Sequence, residues 1–485
     1  MEEVAMQRFS LADIGPLAPE LILIVFALAV LGADLVRGGR RSLFWISAAG
    51  VLVTAVACLY WVSPGTSFGG SFVRDQFTLG IDLIALLIGF LTLLVSREYV
   101  WIKGIECGEY YGLILFATAG MMLMAGAGDL VIVFLGIEIL SVASYALAGL
   151  LRKNVLSNES SLKYLLLGAM SSAFLLYGMA AIYGLTGTTN LKEIGAALPA
   201  ALPGSPFLGY IGIGMLIVGF GFKMAAVPFH MWTPDVYEGA PTSVTAFFTA
   251  GPKAAAFAAA IRVFVVSLGG VSEQWTGVMA VLAVLTMTVG NIGALAQKEI
   301  KRMLAYSSIA HAGYLLIGLA VPGALGLSAI VFYLVAYSLM NLGAFAAITA
   351  VERQGEVRTE LSGYSGLAKT RPGVALALTV FLVSLGGLPP TVGFIGKFYI
   401  FSAAIKNGML WLAIVGALNS LISVYYYLRV TVMMYMKEPE EDAPEVSMDW
   451  AGRVALVGAS IATIILGVFP ARLWEAAKRV TVDFF

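Results

Sequence analysis

Six ionisable side chains, Glu138, Lys223, His230, Lys253, His311 and Lys397, fall within or beside apolar runs long enough to cross a bilayer. Lys223 stands five residues before Pro228 in the run Gly209 to Phe229, and Lys397 follows Pro389 and Pro390 in the run Gly373 to Ala404. A lysine at the centre of a membrane helix costs about 2.5 to 3.5 kcal/mol on insertion scales, so its repeated use implies function rather than stability. Proline removes a helix hydrogen bond, and the freed carbonyls then need water, side chains or ions. Such breaks admit water, and water carries protons. Alternating Lys, Glu, His and hydroxyl groups at mid-membrane suit protons better than large solutes. Burial opposes the charged form of an ammonium and a neighbouring carboxylate favours it, so a Glu–Lys pair can load or release a proton as its separation changes.

Each of these residues also has a plainer reading. Glu138 lies near the middle of Leu130 to Leu150, out of reach of either surface, with Ser141 and Tyr145 continuing its face at i+3 and i+7. A structural salt bridge is the alternative, and its obvious partner is a buried lysine. Lys253 follows Thr242, Thr245 and Thr249 along one helical stripe, so hydroxyls lead from the Pro241 end to the ammonium unless each threonine bonds its own helix. His230 follows the Pro228 break, in a stretch with Trp232, Pro234, Asp235 and Glu238. It is read either as a proton relay or as a satisfied hydrogen-bonding residue. His311, flanked by Ser307 and Tyr314 at helical spacing, reads as a relay position. Arg429, near the end of its helix, is expected to snorkel.

Hydrophobic residues make up 60% of the 485, charged residues 12%, and 29 basic residues balance 29 acidic ones. About fourteen apolar runs, each of about 20 residues, recur between Leu17 and Pro470 and predict an all-α polytopic membrane protein. The longest polar stretches, Glu352 to Arg371 and Lys437 to Arg453, are too short for a soluble domain. Glu2, Glu3 and Asp13 stand where a cleavable signal would be basic, so the first run is expected to remain as a membrane helix. Cys58 and Cys107 lack a ligand-like spacing, and no metal, iron–sulfur or disulfide role is assigned to them.

An even number of crossings puts both termini on one side. Loops on the opposite face carry 17 basic residues: Arg37, Arg40, Arg41, Arg97, Lys103, Arg152, Lys153, Lys163, Lys298, Lys301, Arg302, Arg353, Arg358, Lys369, Arg371, Lys437 and Arg453. The terminal face carries eight: Arg8, Arg74, Lys192, Arg262, Lys406, Arg472, Lys478 and Arg479. The positive-inside bias therefore predicts both termini outside the cytoplasm.

Glu138 precedes Lys223 by 85 residues and His311 precedes Lys397 by 86, with about five helices around each pair. That spacing predicts two five-helix units of inverted topology, each with a broken helix. The expected division is residues 1–108 as three N-terminal helices, 109–270 and 271–437 as the two repeats, and 438–485 as a last helix and tail. There is no Walker motif, dinucleotide fingerprint or redox ligand set, so the drive must be an ion gradient or a partner.

Three runs carry a resemblance: KMAAVPFHMWTPDVYEGAPTSVTAFFTAGPK (Lys223 to Lys253), KRMLAYSSIAHAGYLLIG (Lys301 to Gly318) and GLPPTVGFIGKFYIFSA (Gly387 to Ala403). In these, and over nearly its whole length, the chain resembles the subunit N family of bacterial respiratory complex I, the proton-pumping NADH-quinone oxidoreductase. The resemblance implies that Glu138, Lys223, Lys253 and Lys397 match the family's proton-transfer positions. It also implies that NADH, FMN, iron–sulfur clusters and quinone belong to partner subunits, with no cofactor or metal held by this chain. The implied setting is the bacterial cytoplasmic membrane, among other complex I membrane subunits, antiporter-like homologues and lipid, with no nucleic acid. The related Mrp-type cation/proton antiporter subunits, which share the broken helices and the Glu–Lys pair, are the main alternative. A non-conducting scaffold is the third reading, and it predicts that the buried charges are dispensable.

Overall fold

A computed structural model of the chain describes residues 11–37, 41–352, 360–439 and 448–484. Arg8, Arg40, Arg353 and Arg358, counted above for orientation, lie outside them. The helices are α1 (Ala18–Arg37), α2 (Arg41–Val56), α3 (Gln76–Ile102), α4 (Gly108–Ala125), α5 (Leu130–Ala148), α6 (Val155–Thr186) and α7 (Leu191–Ala201). They continue with α8 (Pro206–Met224), α9 (Trp232–Gly239), α10 (Thr242–Ala260), α11 (Thr276–Ala296), α12 (Ile300–Ala320), α13 (Ala324–Val351) and α14 (Leu367–Thr370). The last are α15 (Pro372–Gly386), α16 (Val392–Lys406), α17 (Leu410–Met436), α18 (Trp450–Val468) and α19 (Ala471–Val480). A short hairpin, β1 (Gly65–Ser67) against β2 (Phe72–Arg74), is antiparallel.

Thirteen helices among the described residues are long and apolar enough to span a membrane. A further crossing is split: α15 and α16 have 15 residues each, and 15 residues rise only about 22 Å as a helix. The expected run Gly373 to Ala404 is therefore two half-helices around Pro389 and Pro390. The all-α polytopic fold and the crossing count of about fourteen agree with the sequence reading.

Helix starts follow from local chemistry. Asp75, Asp129, Asn154 and Asp449 cap α3, α5, α6 and α18, each accepting a bond from a first-turn backbone N–H. The ends of the elements meet in two layers. In one, the Tyr99 hydroxyl near the end of α3 accepts from Thr242 N at the start of α10 at 3.0 Å, and the Thr242 hydroxyl donates to Glu352 after α13. In the other, Arg262 grips Asp75 with two nitrogens at 2.7 and 2.6 Å and donates to Ala125 O at 2.9 Å.

All 19 residues of α10 are buried. Its alanines and glycine let α3, α4, α5, α8 and α13 pack around it, which makes α10 the axis of the molecule. Pro252 lies inside this helix, directly before Lys253. Without an N–H it leaves the carbonyl four residues earlier unpaired, and the Tyr237 hydroxyl donates to that oxygen, Phe248 O, at 2.8 Å.

The two breaks share one backbone solution. At the end of α8, Ala225 adopts φ +61°, with Ala225 N bonded to Phe222 O and Ala226 N to Gly221 O. At the end of α15, Gly387 adopts φ +81°, with Gly387 N bonded to Ser384 O and Leu388 N to Val383 O. Both are Schellman endings, which satisfy the last carbonyls by turning left-handed. An alanine there costs roughly 1 to 2 kcal/mol that glycine avoids. In each case a cis proline follows three residues later, Pro228 and Pro390.

Candidate functional site

Glu138 and Ser141 lie one turn apart on α5. Ser141 Oγ donates to Ile137 O at 2.6 Å, which leaves its lone pair to receive Lys223 Nζ at 2.8 Å. The Ser172 hydroxyl of α6 donates to Glu138 Oε1 at 2.5 Å. Among the described residues no Glu138–Lys223 ion pair falls within 4.0 Å. Each member of the expected pair is thus met by a serine, Lys223 of α8 by Ser141 and Glu138 of α5 by Ser172, and among the described residues no hydrogen bond joins the two. Beside it, the α8 break is sealed by side chains. Trp232 Nε1 donates to Phe222 O at 3.1 Å, and Val227 N donates to Thr286 Oγ at 3.0 Å.

Lys253 points from α10 to α12. Its ammonium donates to Ser308 O and, at 2.5 Å, to Ser308 Oγ. It also lies 5.2 Å from the Tyr337 ring centroid, and the Tyr337 hydroxyl donates to the same Ser308 Oγ at 2.8 Å. The stripe of threonines does not lead to it. Thr245 donates to Tyr237 O at 2.9 Å and Thr249 to Ala246 O at 2.7 Å, so these hydroxyls serve the backbone, and only Thr242 reaches another side chain. A hydroxyl in a dry helix takes the nearest carbonyl before it takes a distant relay partner.

His311, on α12, is fully buried with both ring nitrogens occupied. Nδ1 meets Tyr333 Oη at 2.6 Å and Nε2 meets Tyr427 Oη at 3.1 Å. Tyr427 also bonds Ser307. Neutral imidazole donates from one nitrogen and accepts at the other, and each phenol can do either, so reversing the bonds exchanges the tautomer. Lys253, Ser308 and Tyr337 form a second hydrogen-bonded group, and the two groups approach where the His311 and Tyr337 rings lie 5.1 Å apart.

Lys397 donates to Leu385 O at 2.9 Å, Gly386 O at 3.2 Å and Ser420 Oγ at 2.9 Å. Its ammonium lies 4.8 Å from the Tyr314 ring centroid, and Tyr314 stands edge-on to His311 at 5.6 Å. The lysine therefore caps carbonyls freed where α15 ends while facing the His311 cluster. Lys223 and Lys397 are not placed alike, however. Lys223 precedes its break, in the last turn of α8, whereas Lys397 follows its break, inside α16. The order of lysine and proline in the sequence already gives this difference, which the equal spacing from Glu138 and His311 does not register.

His230 stands apart from these groups, and its Nδ1 is buried with no hydrogen-bond partner among the described residues. Arg429 is half-buried and donates to Leu295 O at 3.3 Å and Gln297 O at 2.6 Å, closing the end of α11. Asp235 and Glu238 belong to a clamp over the first break, in which Lys163 and Arg302 hold Asp235 at 2.6 and 2.7 Å and Arg302 holds Glu238 at 2.6 Å. Sequence reasoning missed Ser172, Ser308, Tyr333, Tyr337, Tyr427 and Ser420. They are ordinary hydroxyl residues scattered along apolar helices, and only packing turns each toward Glu138, a lysine or His311. Cys58 and Cys107 are unpaired, and among the described residues no three His, Cys, Asp or Glu side chains gather as a metal site.

With this geometry in view, the chain compares closely with known proteins. Residues 127–423 match the family model described as NADH:quinone oxidoreductase/Mrp antiporter, TM. NADH-quinone oxidoreductase subunit N of Trichlorobacter lovleyi is 47% identical over 98% of each chain. The chain belongs to the subunit N family. Among solved structures, a chain of respiratory complex I from Thermus thermophilus is 36% identical with a TM-score of 0.81, covering 95% of this chain and 99% of that one. A chain of the Mrp complex from Dietzia has a TM-score of 0.82 over 98% of both chains at 24% identity, a likeness of fold alone. Shape does not separate the two groups. Sequence does, and it favours subunit N.

Proposed function

We propose that this chain is a membrane-arm subunit of a bacterial NADH-quinone oxidoreductase and moves protons across the membrane as other subunits carry electrons from NADH to quinone. The observation that carries this reading is a buried array of two hydrogen-bonded groups, Lys253–Ser308–Tyr337 and Ser307–Tyr427–His311–Tyr333, which approach at the His311 and Tyr337 rings. Its members can each donate or accept a proton, save the ammonium, which must first lose one. Glu138 and Lys223 act in the first half, Lys253 and His311 in the middle, and Lys397 in the second half. His230 is kept as a lesser relay candidate at the first break.

In the same reading NADH, FMN, iron–sulfur clusters and quinone sit in partner subunits, and this chain holds no redox centre. It lies in the cytoplasmic membrane beside other complex I membrane subunits, antiporter-like homologues among them, with both termini on the non-cytoplasmic side. The repeats are assigned to 109–270 and 271–437, flanked by 1–108 and 438–485, and the matching Schellman endings support that division. The test is a complex carrying Lys253→Met with Lys397→Met, reconstituted in vesicles and assayed for quinone reduction and proton uptake together. Protons moved per electron should fall. A fully assembled double variant with an unchanged ratio would return the chain to the role of scaffold.

A further inference from the structure

At the basic ends of α15 and α18 a cavity of about 240 Å³ opens between the two helices, lined by Arg371, Gly373, Val374, Ala377, Arg453 and Leu456 among others. Its upper rim holds two guanidinium groups and its walls are apolar. Arg453 is exposed and Arg371 half-buried, and neither has an ion-pair partner among the described residues. The nearest acids of these elements are already taken. Asp449, four residues before Arg453, is held by Arg97, and Glu438 by Lys369 at 2.6 Å. In front of Gly373 there is open space where a side chain would stand.

The depth of the rim can be placed independently. Trp450, the first residue of α18, stacks on Trp45 at 5.6 Å, and both rings are about half exposed. Paired outward-facing tryptophans mark the level of lipid headgroups. Arg453 lies three residues further into the helix, about 4.5 Å deeper, and Arg371 immediately precedes α15. Two cations at headgroup depth above an apolar slot open to the side match a phosphodiester joined to acyl chains, in the manner of basic pockets between helices. Arginine suits this better than lysine, since its planar fork binds phosphate oxygens in pairs.

We propose that this cavity is a binding site for one anionic phospholipid, its phosphate held between Arg371 and Arg453 and an acyl chain laid along Val374, Ala377 and Leu456. The competing occupants are free phosphate and the chain's own acidic segment, which carries Glu440, Glu441, Asp442 and Glu445. Intact complexes with wild-type chain and with Arg371→Gln/Arg453→Gln would be delipidated and titrated with phosphatidylglycerol, phosphatidylcholine or inorganic phosphate, with bound lipid counted by native mass spectrometry. The double variant should retain one phosphatidylglycerol fewer per copy of this chain. Its affinity at that site should be roughly thirtyfold weaker, equal to about 2 kcal/mol at 1.4 kcal/mol per tenfold. Phosphatidylcholine should not distinguish the two proteins. Equal phosphatidylglycerol retention would overturn the proposal, as would competition by millimolar inorganic phosphate. The own-segment reading predicts instead that wild type binds no lipid there and that neutralising the four carboxylates creates the site.

Discussion

Replacing Lys253 with methionine separates a functional charge from a structural one, because a structural role predicts lost stability and a functional one predicts lost pumping with stability nearly unchanged. Lys253 is 2% exposed, its ammonium meets Ser308 and the face of Tyr337, and among the described residues no carboxylate is bonded to it. Hydrogen bonds to a charged group contribute about 1.5 to 3 kcal/mol each, so two of them return about 3 to 6 kcal/mol. Removing the ammonium from water costs several kcal/mol after relaxation. The sum is near zero. Methionine fills most of the same volume, and Ser308 Oγ keeps the bond from Tyr337, so no polar atom is orphaned. Lys253→Met should therefore change stability by no more than about 1 kcal/mol, whereas proton transfer through the array should fall at least tenfold, about 1.4 kcal/mol in barrier. Subunit content and thermal unfolding of the purified complex give the first quantity, and vesicle acidification per quinone reduced gives the second. An assembled variant that pumps like wild type, or one that pumps poorly only because it assembles poorly, would refute the reasoning.

Three further outcomes are expected. Lys223→Ala should remove most pumping, and Lys223→Arg should fail to restore it because guanidinium stays charged near pH 7; full pumping by the arginine variant in vesicles would exclude a protonation cycle there. Glu138→Gln should impair turnover while Glu138→Asp retains part of it, and a double-mutant cycle with Lys223→Ala should show coupling of at least about 0.5 kcal/mol in the rate; strictly additive losses would contradict a shared transfer step. Lys397→Ala should lower pumping as severely as Lys223→Ala, with some loss of stability, about 1 to 3 kcal/mol, from uncapping Leu385 O and Gly386 O; normal pumping by a fully assembled Lys397→Ala complex would remove the second half from the pathway.

Composition and apolar run length alone determined that this is a many-helix membrane protein. The reason is that hydrocarbon leaves a chain little choice but to bond its backbone within each crossing. The same reasoning marked Glu138, Lys223, Lys253, His311 and Lys397, since an ionisable group at that depth is conspicuous in one dimension. Pro228 and Pro390 likewise announced the two breaks. Tertiary structure decided what each charge touches. Nothing along α5 says that Ser141 would receive Lys223, and nothing in α13 or α17 says that Tyr333 and Tyr427 would fill the two nitrogens of His311. Those contacts join helices up to about 120 residues apart, and helical periodicity fixes a face without naming the face opposite. The threonines of α10 show the converse, where a stripe legible in sequence proved to serve carbonyls three and eight positions away at Thr249 and Thr245 and the Glu352 carboxylate at Thr242. Lys223 and Lys397 looked interchangeable by spacing and differ because one ends a half-helix and the other lies inside the next. Sequence order already puts Lys223 before its break and Lys397 after it; the structure alone decides that Lys397 folds back on Leu385 O and Gly386 O whereas Lys223 meets Ser141, because packing and not spacing sets the neighbours of each ammonium.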